Sequence, residues 1–118
     1  MTKFNSTTAI LSDLDGVILD LNYDMKFWTD WLPNTLALET GKSSAKVKAD
    51  IKSMMSDQEA SLNWYDLNYW DELLGIDSLE IIKNQEERCS FLKGSKDALK
   101  KIASLSNPKY ILTNGDPR

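Results

Sequence analysis

The stretch Thr8-Ala9-Ile10-Leu11-Ser12-Asp13-Leu14-Asp15-Gly16-Val17-Ile18-Leu19-Asp20-Leu21 decides how the chain is read. Ala9-Ile10-Leu11 has the length and composition of a buried strand, and it runs into two carboxylates at alternate positions, Asp13 and Asp15, followed by a glycine. Alternate residues of a strand share one face, so the two carboxylates are expected side by side. Negative charges so placed repel. The arrangement makes physical sense chiefly when a cation lies between them, or when they divide the roles of nucleophile and acid/base. An aspartyl nucleophile assisted by Mg²⁺ is therefore expected. A calcium-binding loop does not fit: counted from Asp13, the fifth and sixth positions are Val17 and Ile18, where a polar ligand and a glycine are needed.

Outward from this stretch, composition narrows the function. The 118 residues suit one small domain, and a hydrophobic content of 42% is ordinary for a globular protein. Lys and Arg number 14 against 18 Asp and Glu, for a net charge of −4, and no basic block follows a nucleic-acid backbone. A polymeric nucleic acid is thus not the expected partner. An anionic phosphate substrate would meet an unfavourable overall field, which local cations must overcome. The absence of histidine removes His-based triads and imidazole metal sites. Cys89 has no disulfide partner and is expected as a packed small residue. No run approaches the roughly 18 apolar residues of a membrane span, and Met1–Asn5 carries no apolar signal segment, so a cytoplasmic location is expected. Asn5-Ser6-Thr7 matches the glycosylation pattern only by accident on that view.

Beyond Leu21 the periodicity becomes helical. Trp28, Trp31, Leu32 and Leu36 predict a helix from about Asp24, kinked or restarted at Pro33 and closed by Gly41. A second helix is predicted from Ser43 or Ser44 to about Ser56-Asp57, with Val47, Ile51, Met54 and Met55 on one face and Lys46, Lys48 and Lys52 on a solvated one. Leu62 to Gly75 reads as a third, with Leu67, Trp70 and Leu74 in register. Asp77 with Glu80 marks the start of a fourth. Residues 24–90 thus read as an all-helical insert. A further helix carrying Ala98, Leu99, Ile102 and Leu105 ends at Asn107-Pro108, and a second apolar run, Tyr110-Ile111-Leu112, leads into Thr113-Asn114-Gly115. Two strands joined through helices imply a parallel pair with a crossover. In such sheets the ligand crevice lies outside the carboxyl ends of the strands, where Asp13, Asp15, Thr113 and Asn114 fall.

These residues carry a resemblance. Asp13-Leu14-Asp15-Gly16-Val17 after its strand is similar to the first motif of the haloacid dehalogenase-like phosphohydrolases, and Ile111-Leu112-Thr113-Asn114 looks like their second. Leu19 to Asp24, Phe27-Trp28, Leu32-Pro33 and Leu62 to Trp70 further resemble the branch of bacterial nucleotidases acting on GMP and IMP. The resemblance implies an α/β fold, a Rossmann-like parallel core in residues 1–23 and 91–118 with a helical cap in 24–90. It implies that Asp13 is the nucleophile and a Mg²⁺ ligand, that Asp15 is the general acid/base and contributes to the metal, and that Thr113, helped by Asn114, binds the transferring phosphoryl group. The implied substrate is a small phosphomonoester, a purine nucleoside 5′-monophosphate before a sugar phosphate.

The family also uses a lysine and acidic residues downstream of its second motif. Lys101 and Lys109 precede Thr113 and are in the wrong order for that lysine, so the chain is expected to be the N-terminal portion of such an enzyme, or else a non-catalytic fragment. Two strands leave Ile10, Leu11, Ile111 and Leu112 without partners on one face. Each large apolar side chain left uncovered forgoes roughly 1.5–3 kcal/mol. All four tryptophans, Trp28, Trp31, Trp64 and Trp70, fall in the helical insert with Tyr23, Tyr65 and Tyr69. Most are expected to be cap core, with Tyr23 and Tyr65 the ones to watch as a stacking surface for a purine.

Overall fold

The structure, a computed structural model, describes residues 8–118. The Met1–Asn5 segment and the Asn5-Ser6-Thr7 triplet lie outside the described residues. Strand β1 (Ile10–Ser12) is followed by helices α1 (Asn22–Lys26), α2 (Leu32–Thr40), α3 (Ser44–Gln58), α4 (Leu67–Leu74), α5 (Ser78–Lys83) and α6 (Ser95–Ala103), then strand β2 (Lys109–Ile111). Two compact units result. Among the described residues, one contains 8–23 with Glu87–Thr113, the other Asp24–Glu86 with Asn114–Arg118. The cap read from the sequence ended at residue 90 and left 114–118 in the core. In the structure the tail joins the helical unit, where Arg118 pairs with Asp71 at 3.4 Å.

In the α/β unit, β1 and β2 are parallel, with Ile10 opposite Lys109 and Ser12 opposite Ile111. Backbone bonds extend the pair at both ends, Ile10 N–H to the Pro108 carbonyl and Leu112 N–H to the Ser12 carbonyl, both 2.8 Å. The buried Asn107 amide donates to the Thr8 carbonyl at 2.8 Å and locks the start of β1 to the approach to β2. Lys109, excluded above as a catalytic lysine, donates through Nζ to the carbonyls of Leu105 and Asn107 and so ties together the connection between α6 and β2. Leu11 and Leu112 are 60% exposed and Tyr110 and Ile111 are exposed too, so β2 is uncovered on both faces, while Ile10 is partly buried.

The helical unit packs around Phe27, Leu32, Leu36, Val47 and Ile51, with Trp28 and Trp31 against them. Helix α3 begins at Ser43, whose hydroxyl accepts Lys46 N–H at 3.2 Å, and α5 at Asp77, which accepts Glu80 N–H at 3.1 Å, both as read. Gly41, at φ +70°, ends α2 in the left-handed conformation expected of it. Pro33 falls in the first turn of α2, one of the two alternatives read from the sequence. Helices α1 and α2 are joined by a wide turn over Phe27–Trp31, in which Leu32 N–H reaches back five residues to the Phe27 carbonyl. Pro33 has no N–H to offer the preceding turn, and the widened register absorbs that loss without ending the helix. One other reading needs correction: the Leu62–Gly75 segment is not one helix. A 3₁₀ turn over Leu62–Tyr65 stops at Asp66, whose carboxylate takes the N–H groups of Asn68 and Tyr69 and starts α4 afresh.

Lys26 holds Asp30 at 2.8 Å and Lys46 holds Asp50 at 2.7 Å, so the lysine face is partly paired as well as solvated. The hydrogen bond from Lys26, with Lys48 nearby, lowers the Asp30 carboxyl below its ordinary value of 3.8, and the bond from Lys46 does the same for Asp50. Because both folded values lie below the unfolded one, this stabilisation is complete above about pH 4 and is lost as pH falls through the lowered values. Thermal melts are expected to show a small fall in Tm from pH 6 to pH 3, and a smaller one in a Lys26→Met/Lys46→Met variant. An equal fall in both proteins contradicts this.

Candidate active site

The site begins where β1 ends. Ser12 is its last residue, and Asp13 and Asp15 lie beyond the strand pairing, so the loop after β1 and not strand alternation places the two carboxylates. That is a correction to the argument that put them on one strand face. The Leu14 carbonyl collects the N–H groups of Val17, Ile18 and Leu19 at 3.4, 2.9 and 3.0 Å, winding the segment into one tight turn. Gly16, at φ +77°, lets the turn close, and its N–H returns to the Leu19 carbonyl at 2.9 Å. Asp13 and Asp15 are both exposed. One Asp13 carboxylate oxygen accepts the Leu14 N–H at 2.7 Å, and the other has no protein partner among the described residues. A carboxylate oriented by one oxygen and open at the other is suited to attack.

Thr113 lies in the same unit, directly after Leu112, whose N–H binds the Ser12 carbonyl. Carried one step beyond β1, the register sets Asp13 level with Leu112, one residue short of Thr113. The structure therefore brings Asp13, Asp15 and Thr113 to one end of the strand pair. Asn114 groups with the helical unit. Sequence reading missed what secures the loop. The buried Ser95 hydroxyl, in the first turn of α6, donates to the Ile18 carbonyl at 2.7 Å, and that carbonyl also accepts Leu92 N–H at 2.9 Å. Asp20 N–H reaches the Ser90 carbonyl at 2.9 Å, so the chain after the turn is pinned to the segment leading into α6. A serine behind a positive-φ glycine before a helix was the available signal, but its partner lies 77 positions away.

Cys89 is exposed, not packed, because it lies in the irregular stretch between the Glu86–Arg88 turn and Ser90 where no helix covers it. Among the aromatics, Trp70 is buried and meets Trp28 edge to face at 5.6 Å and Tyr69 at 5.2 Å, while Tyr65 is half exposed. Among the described residues no group of three or more carboxylate or thiol side chains gathers. The donors Asp13 and Asp15 are nonetheless hard, accessible oxygens. Mg²⁺ commonly binds through one or two carboxylates with waters and substrate phosphate, so the pair fits it.

A parallel strand pair with its acidic loop after β1 and a helical insert in the crossover has the haloacid dehalogenase-like α/β fold in part. A crystal structure of a HAD phosphatase from Thermococcus onnurineus superposes with a TM-score of 0.76 over 94% of this chain and 53% of that one, at 20% identity. In sequence the chain is similar to the GMP/IMP nucleotidase YrfG of Escherichia coli K12 and of Shigella flexneri, 29% identical to each over 109 residues. The match takes in 92% of this chain and 49% of each relative, so the chain spans about half the length of the curated relatives it matches. No family model matches the chain. In both sequence and fold it resembles the N-terminal portion of a haloacid dehalogenase-like phosphohydrolase. No helix among the described residues is long and apolar enough to cross a membrane.

Proposed function

We propose that the protein hydrolyses phosphomonoesters through an aspartyl-phosphate, with purine nucleoside 5′-monophosphates as substrates. The observation that carries this reading is the exposed, singly tethered Asp13 carboxylate at the end of β1, in one unit with Asp15 and Thr113. The free Asp13 oxygen bonds to phosphorus as the bond from phosphorus to the ester oxygen breaks, and Asp15 gives its proton to the departing nucleoside. A water then attacks phosphorus, Asp15 takes its proton, and inorganic phosphate leaves with Asp13 restored. Thr113 donates its hydroxyl to a phosphoryl oxygen, and Asn114, next in sequence, assists by the same resemblance. Asp13 through its carboxylate and Asp15 through its main-chain carbonyl would hold Mg²⁺, which when bound neutralises charge on the phosphoryl oxygens. The nucleotide preference rests on the curated relatives named for GMP and IMP. A cytoplasmic location belongs to the same proposal.

Phosphate release from GMP, IMP and glucose 6-phosphate, with Mg²⁺ and with EDTA, tests it. The purine nucleotides are expected to exceed the sugar phosphate by about tenfold or more in kcat/KM, a margin that a few specific contacts supply. EDTA is expected to stop turnover. Equal rates on all three esters overturn the substrate class, and undiminished turnover in EDTA overturns the metal.

A further inference from the structure

A cleft of about 520 Å³ opens within the helical unit, walled by Trp28, Ile51, Met55 and Trp64 and edged by Lys48 and Lys52. Its volume is that of a small-molecule site. The two tryptophans differ. Trp28 is fixed by edge contacts to Phe27 at 4.9 Å and Trp70 at 5.6 Å. Trp64 has its backbone carbonyl held by the Trp70 indole N–H at 3.4 Å, but its ring pairs with no other ring among the described residues and is not part of the unit's core. An aromatic face is thus anchored at its backbone and left for something else to cover.

The charge beside it is only partly compensated. Lys48 and Lys52 are four residues apart on α3 and share a helix face, where like charges repel. Lys42 and Lys46 flank Asp50 at 3.9 and 2.7 Å. Lys48 reaches Asp30 only at 3.9 Å, and Lys52 has no ion-pair partner among the described residues. An anion between Lys48 and Lys52 turns their repulsion into attraction, and the apolar walls around it strengthen that attraction by excluding water. Glu59 is on the same lining and disfavours an anion at its own position. If the lysines were merely solvated and the tryptophans merely structural, nothing would bind. We propose that this cleft binds a planar aromatic anion, its ring against Trp64 and its anionic group between Lys48 and Lys52. A purine nucleoside monophosphate has both parts. The site holds whether or not Asp13 is a nucleophile.

Isothermal calorimetry in EDTA on an Asp13→Asn background, where hydrolysis is stopped, separates this site from the catalytic one. GMP is expected to bind saturably, and guanosine and inorganic phosphate each about tenfold more weakly or worse, since each offers only half of the recognised chemistry. Lys48→Met/Lys52→Met is expected to weaken GMP by about tenfold or more with Tm retained, and a lysine-dependent GMP binding event is expected to persist in Thr113→Val. Should the double variant lose stability, Lys52→Met alone serves, with weakening of at least about threefold expected. Absence of GMP binding, binding indifferent to the lysines, or binding lost with Thr113→Val overturns the proposal. Failure of Asp13 as nucleophile shows instead in turnover assays and leaves this result untouched.

Discussion

Asp13→Asn is expected to lower the rate of phosphate release from GMP by about a thousandfold or more, in line with loss of a nucleophile that acts as a unit with its partners. The substitution keeps size and shape, and the amide oxygen can still accept the Leu14 N–H that Asp13 accepts at 2.7 Å. What it removes is the negative, nucleophilic oxygen. Because the side chain is exposed, stability should change by no more than about 0.5 kcal/mol, so a rate loss without a Tm change isolates chemistry from folding. Phosphate release and a thermal melt on the same preparation check both halves. Retention of most of the activity would remove Asp13 from the mechanism and leave Asp15 to be tested as the nucleophile.

Trp70→Ala is expected to have the largest effect on stability, about 3–5 kcal/mol, since truncating a buried tryptophan forfeits its transfer free energy and leaves a cavity. Trp70 is 1% exposed, touches Trp28 and Tyr69 edge to face, and its indole N–H binds the Trp64 carbonyl. One side chain thus joins α1–α2, the 3₁₀ turn at Leu62–Tyr65 and α4. Against a net stability of about 5–15 kcal/mol, the loss should lower Tm by at least about 12 °C. Leu38→Ala, at a residue 87% exposed, is the matched control and should change Tm by less than about 4 °C. Circular dichroism melts of both variants decide it: similar Tm values for the two would mean that Trp70 does not organise the unit.

Local chemistry was the most legible part of the sequence. Ser43 and Asp77 declared themselves as helix starts, and Gly41 and Gly75 as stops, because capping depends on residues within a turn of one another. The break at Asp66 was hidden by Leu67, Trp70 and Leu74, whose helical spacing continues through it, while its carboxylate competed as a cap for α4. The widened turn before Pro33 was not legible either, since a proline announces a missing donor but not how its neighbours compensate. At the site, Asp13, Asp15 and Thr113 were identifiable from residue type and position after apolar runs. The hold of Ser95 on the Ile18 carbonyl was not, because a contact across 77 positions leaves no periodic trace. Cys89 shows the converse limit: small and apolar enough to be buried, it is exposed because the irregular chain around it offers no element to pack against.

The covalent step itself is directly measurable. Acid quenching of the Asp15→Asn variant within its first turnover of 5′-³²P-GMP, followed by peptide mapping, reads where the phosphoryl group has gone. Loss of the acid/base slows the water attack that clears the intermediate, so label is expected on the peptide containing Asp13 and absent from an Asp13→Asn/Asp15→Asn protein. Label on a different residue, or nucleoside released in the first turnover with no label on the protein at all, would contradict the aspartyl-phosphate and with it the role assigned to Asp13.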